Sequence, residues 1–251
     1  MRSTSALILA LVLAVCVAPA QAAVTLVQHA TNRNTASAAT VAITVSSTGS
    51  GNLIVVGCRN DGGHTVSGVS DGTNAFTQFA SAAIAGTGSL AGVNLDVWYL
   101  LSSTSGKTTI TITYNASALY NKDGWVWEVS GMGTVSTDGV NTGHNTGSAG
   151  SVETGVSVTT TSTTGFLIGL DSPLNNVLLN PNTGNEFSAG GDNQNGNGGV
   201  SLISTTAASH TPQWTGDTAN DPFDTVTAAF KGTATTTCTP TMTLLGVGRC
   251  G

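Results

Sequence analysis

Apolar positions along this chain recur at every second residue in short runs, and each run is closed by Gly, Asn, Asp or Ser. The clearest is Gly124-Trp125-Val126-Trp127-Glu128-Val129-Ser130-Gly131. Successive side chains of a strand point to opposite faces, so Trp125, Trp127 and Val129 share one face and Val126, Glu128 and Ser130 the other. Two tryptophans spaced in this way anchor a core, because each aromatic ring buries roughly 150–250 Å². A single glutamate on the opposite face predicts a solvated surface or a cleft there. Asp123-Gly124 and Gly131 stop the run at strand length.

The same reading predicts strands over 24–28, 40–45, 52–58, 64–69, 93–101, 108–114, 124–130, 152–160, 165–170, 200–205 and 225–231. No later stretch carries an apolar stripe at helical spacing. Many short strands separated by turn residues predict an all-β fold, an antiparallel two-sheet β-sandwich of jelly-roll-like form. A Thr-rich strand (40–45) followed by the nearly continuous apolar run 51–57 is echoed by 156–160 followed by 165–170. This predicts one hairpin used twice in two related halves, with the apolar strand of each buried on both faces.

Residues 1–22 have the parts of a secretory signal peptide: Arg2, an apolar run, then Ala20-Gln21-Ala22, a small-x-small cleavage site. The run is shorter than the ~20 residues needed to span a bilayer, so the expectation is a secreted or cell-surface protein with no membrane span once the signal is removed. A single β-sandwich domain is expected over 23–231, followed by a Thr/Gly-rich linker and Cys-containing tail over 232–251. Cys238 and Cys250 are the expected disulfide of that tail, in the oxidising compartment that export implies. Cys58 is left as a buried thiol. The low-complexity stretch 180–199 reads as an exposed connection.

Only 8% of the 251 residues are charged, against roughly 25% in an ordinary soluble domain. Thr, Ser, Asn and Gly must therefore supply the polar surface, which suits an extracellular setting. The net charge is −6 and the seven Lys and Arg residues are scattered singly. That excludes the basic stripe that nucleic acid requires, and leaves neutral glycans or other surface proteins as partners.

The order Gly-Asn-Leu-Ile-Val-Val (51–56), Asp-Val-Trp-Tyr-Leu (96–100), Thr-Ile-Thr-Ile-Thr-Tyr (109–114), Trp-Glu-Val-Ser-Gly-Met (127–132) and Thr-Ala-Ala-Phe-Lys (227–231) resembles secreted β-sandwich domains of bacterial surface and extracellular proteins. The resemblance covers about residues 24–231 and implies fold and export. Such domains generally have no assigned activity, so it transfers no functional residue.

Candidate chemistry is sparse. Gly68-Val69-Ser70-Asp71-Gly72 matches the spacing of a hydrolase nucleophile elbow, but that motif needs a helix after the serine, and here another β run follows. His64, His144 and His210 are candidate bases that no spacing singles out. Glycoside hydrolysis needs two carboxylates about 5–10 Å apart, and Glu128 with Asp96 would form such a pair if their strands were neighbours. Residues 192–197 offer oxygen ligands suited to calcium but lack the closing glutamate of a calcium loop, and no Cys/His spacing suits zinc.

The period places Asn94, Asp96 and Trp98 on one strand face. An exposed Trp98 beside Asp96, extended by Trp214 and Tyr120, would stack on a sugar ring while the polar groups take its hydroxyls. The alternative is that Trp98 packs into the second side of a sandwich. Three functional classes follow: a non-catalytic surface, matrix or adhesion module that recognises glycans through Trp98, Asp96 and Trp214; a carbohydrate-active hydrolase using Glu128 and Asp96; and a structural subunit that assembles through strand edges.

Overall fold

The computed structural model describes residues 23–79, 83–118, 121–145, 152–174, 180–187, 189–194, 197–215 and 222–233. The expected signal peptide, Tyr120 and the Cys238–Cys250 pair lie outside the described residues. Among those described there are nineteen strands and no α-helix. The protein is all-β and sandwich-like.

The first half of the chain contains β1 (Thr25–Asn34), β2 (Ala38–Thr44), β3 (Leu53–Asn60), β4 (Val66–Ser70), β5 (Thr77–Gln78), β6 (Ile84–Ala85), β7 (Asn94–Leu100), β8 (Thr109–Ala118) and β9 (Lys122–Ser130). The second contains β10 (Val135–Asn145), β11 (Val152–Thr154), β12 (Val158–Thr159), β13 (Gly165–Pro173), β14 (Asn180–Pro181), β15 (Ala189–Gln194), β16 (Asn197–Ser204), β17 (Ser209–His210), β18 (Gln213–Thr215) and β19 (Phe223–Gly232). In the first half β1-β9-β3-β7-β5 form an inner sheet, with β6 also on β7, and β2-β8-β4 form an outer one. The second half repeats this order: β10-β19-β13-β16-β15 inside, β11-β18-β14 and the β12-β17 pair outside.

Pairing is nested in both halves. β1 pairs β9, β2 pairs β8 and β3 pairs β7; then β10 pairs β19, β11 pairs β18, β12 pairs β17 and β13 pairs β16, all antiparallel. First-with-last nesting across two sheets is the winding of a jelly roll. The duplication extends to register. A bulge between Leu26 and Gln28 on β1 corresponds to one between Thr137 and Gly139 on β10, and from these bulges Arg33↔Asp123 falls at the same rung as His144↔Asp224.

The sandwich has more layers than the two sheets the pattern predicted. The two inner sheets pack face to face around Trp125, Trp127, Leu53, Val55, Phe166, Ile168, Leu170 and Phe230. The other face of the first inner sheet packs on its outer sheet through Val56, Cys58, Val126, Ile43, Ile110 and Ile112. Leu167, Val200 and Ala229 of the second inner sheet pack on Val158 and Trp214 of the small outer sheets. Both inner sheets are thus covered on both faces, and every residue of β3 and of β13 is buried. The predicted burial of these apolar runs is borne out. The repeated unit is not a hairpin, however. β2 and β3 do not pair, nor do β12 and β13; in each half the chain crosses from an outer strand to an inner one.

The low-complexity run expected to be an exposed connection is instead a strand pair, β15 with β16, in which Gln194 pairs Asn197. The sequence between them is Asn195-Gly196, a dipeptide suited to two-residue hairpins.

Candidate functional site

Glu128 is buried, contrary to the solvated setting expected for it. It closes the crossing from β2 to β3: its Oε1 accepts from Gly49 N at 2.7 Å and from Asn52 Nδ2 at 2.6 Å, and its Oε2 accepts from Gln28 Nε2. The pair with Asp96 is not formed. β7 and β9 lie on opposite sides of β3, where Ile54 pairs with Glu128 and Cys58 with Asp96. Strand rise and spacing put the two backbones roughly 16 Å apart, and both oxygens of Glu128 are already occupied.

The aromatic platform is not formed either. Trp98 is 9% exposed and sits in the core between the first inner and outer sheets, while Trp214 is fully buried in the core of the second half. The outer sheets cover the faces that a simple two-sheet arrangement would have left open. In the Gly68–Gly72 stretch, Asp71 Oδ1 accepts from the backbone N–H groups of Thr73 and Asn74 at 2.9 and 2.6 Å, which makes it a side-chain-closed turn. Among the described residues no three His, Cys, Asp or Glu side chains converge to hold a metal ion.

Polar clusters that the sequence did not reveal are of three kinds. Between the inner sheets, Asp123 faces Arg59 at 3.5 Å and Arg33 at 3.6 Å and accepts from Asn197 Nδ2 at 2.8 Å. Arg59 Nε also donates to Ser172 Oγ across the two halves at 3.1 Å. Burial nevertheless pushes Asp123 up to about 6, against the pull of the two arginines. This group joins the halves and is closed to ligands.

The second kind is Ser204, His210 and Glu186. Ser204 Oγ lies 3.0 Å from His210 Nε2, and His210 Nδ1 lies 2.9 Å from Glu186 Oε2. The order of groups is that of a nucleophilic triad, but the exposure is reversed. Ser204 is 3% exposed and donates to Thr206 O at 2.9 Å, while the carboxylate is the member facing solvent. A nucleophile has to meet its substrate, so these residues read as a fastening of the 204–210 turn. The third is Asp171, wholly buried and pushed well up by that burial and then by Glu153 of β11 beside it.

A cavity lined by polar and apolar residues opens to solvent. It has a volume of about 200 Å³ and is lined by the polar residues Thr65, Gln78, Asn94 and Asp96 and by Ala83, Ile84 and Ala85. β7 supplies Asn94 and Asp96 from the same face, β5 supplies Gln78 and β6 supplies Ile84. Gln78 Nε2 donates to Asp96 Oδ1 at 2.7 Å and Asn94 Nδ2 donates to His64 O at 3.0 Å. Burial raises Asp96 above the usual carboxylate range, and the bond from Gln78 opposes it. Beside it, burial and the charge of Asp96 push the Cys58 thiol well up, which keeps that sulfur protonated and unreactive.

The duplicated second half offers a control. The position equivalent to Asp96 is Gly198, paired with Asp171 as Asp96 is with Cys58. Trp214 lies on that glycine, since a Cβ there would come within 2.4 Å of its Nε1. The same place in the winding is thus filled by an indole in one half and left open, with a carboxylate, in the other.

Comparison with known proteins adds no relative: no protein-family model matches the chain, and no curated protein is similar to it.

Proposed function

We propose that this is a secreted, non-catalytic recognition module of the surface or matrix type, and that it binds glycans in the cavity at Asp96. The observation that carries the reading is that cavity, lined by both polar and apolar residues, whose place the duplicated half fills with Trp214. A pyranose has the same two characters, hydroxyls around its edge and C–H groups on its faces, and small-ligand sites combine apolar walls with a few fixed polar groups in this way. Asp96 is the one expected site residue that keeps a place in this reading; Trp98 is buried in the core of the first half and Trp214 in that of the second. Large apolar residues are exposed singly, at Val27, Leu101, Val152 and Leu174, which favours a polar partner over an apolar docking face.

The test is a glycan array probed with residues 23–251 and with an Asp96→Ala variant. Binding that the variant loses, with its tryptophan circular dichroism unchanged, is the expected result. Binding equal in both proteins would remove the cavity from the account, and no binding by the folded protein would remove glycan recognition.

A further inference from the structure

The groups lining the Asp96 cavity are unbalanced in what they have left to offer. A carboxylate and a backbone carbonyl cannot donate, so the bonds Gln78–Asp96 and Asn94–His64 fix both amides with their nitrogens turned inward to protein. Among the described residues no further hydrogen bond reaches Gln78 Oε1, Asn94 Oδ1 or Asp96 Oδ2. Two amide oxygens and a carboxylate oxygen therefore remain as acceptors, with the Thr65 hydroxyl beside them. Among the described residues Asp96 joins no ion pair, while Arg33, Arg59 and Lys231 are each committed to other carboxylates.

Three open acceptor oxygens around a carboxylate that joins no ion pair among the described residues suit a ligand group that only donates and carries positive charge. A primary ammonium does both, with three N–H donors and no acceptor. Calcium takes six to eight oxygens, and the Ala83–Ala85 wall gives it none from side chains while offering an organic ligand an apolar surface.

Resting on the glycan reading above, we infer that the cavity selects a sugar bearing a free amine, a hexosamine that is not N-acylated, with its ammonium held by Asp96, Gln78 and Asn94 and its ring against Ala83 and Ala85. The bond is a charge-assisted one, roughly twice as strong as its neutral counterpart. The hydroxyl of a neutral sugar brings one donor and no charge to these three oxygens, where an ammonium brings three donors and a positive charge.

The experiment is calorimetric titration of residues 23–251 with glucosamine, glucose, N-acetylglucosamine, Nα-acetyl-lysine amide and calcium chloride. Glucosamine is expected to bind at least ten-fold tighter than glucose or N-acetylglucosamine. Asp96→Asn is expected to abolish that preference; Gln78→Leu, on a two-residue edge strand, is expected to reduce it several-fold and serves if Asp96→Asn does not fold. Equal binding of the three sugars would overturn the amine and leave glycan recognition standing. Binding of the lysine derivative without any sugar would overturn the choice of ligand, calcium binding in place of glucosamine would make the site a metal site, and no binding at all would overturn both readings.

Discussion

Gly198 and Gly199 sit side by side under two tryptophans. A Cβ on Gly199 would come within 2.7 Å of Cδ1 and 2.9 Å of Nε1 of Trp125, and one on Gly198 would strike the indole of Trp214. Gly57 has an equally close neighbour, Leu170 Cδ2 at 2.7 Å, but that atom is the far end of an aliphatic side chain rather than part of a rigid indole. Overpacking costs about 1–3 kcal/mol when nothing can move aside. Gly199→Ala is therefore expected to lose stability within that range and Gly57→Ala distinctly less, as measured by urea unfolding. Equal costs, or the reverse order, would mean that Trp125 does not rest on Gly199.

Among the elements, the predicted strands were found where side chains mark a buried face, except that the single strand expected over 152–160 is two, β11 and β12, in separate small sheets. The alternation that put Trp125, Trp127 and Val129 together is the alternation that places them between the inner sheets, and the continuous apolar runs of β3 and β13 reflect cover on both sides. The strands that the pattern did not mark are β5, β6, β10, β14, β15, β17 and β18; in β10 a neighbour supplies the packing and the strand keeps only a glycine. Gly139 and Gly143 of β10 lie under Val158 and Val156 of the outer layer, each too close to admit a Cβ. A side-chain pattern cannot register a contact made from the other partner. The site was half legible for a related reason. Period alone put Asn94, Asp96 and Trp98 on one face, whereas the outer sheet that buries Trp98, and the short β5 and β6 that bring Gln78 and Ile84 to Asp96, are long-range pairings with no local signature.

At the scale of the whole molecule, four aspartates are buried under conditions that raise them. Burial comes first for Asp96, Asp123, Asp171 and Asp224, with Glu153 adding to it at Asp171 and His144 opposing it at Asp224. A carboxyl whose folded pKa exceeds its unfolded value binds more protons when folded, so its stabilising contribution is complete below about pH 4 and is lost as pH rises through the folded pKa. For Asp123 that window runs from about 4 to about 6 and is worth on the order of 2–3 kcal/mol. Asp71 and Asp138 are lowered instead, because hydrogen bonds and a nearby lysine outweigh their burial, and they titrate beneath this window. Melting temperature is accordingly expected to be several degrees higher at pH 5 than at pH 7.5, and a rise over that interval would contradict the assigned burial of these groups. The same two-sided cover that strands carboxylates inside leaves a cavity facing outward at Asp96, and recognition there is the claim on which the functional account stands. Its most direct test is amide chemical-shift mapping of the isotope-labelled protein with a glycan that binds on the array. The account predicts perturbations centred on Gln78, Ile84, Ala85, Asn94 and Asp96; perturbations confined to β10 or to the outer sheets would contradict it.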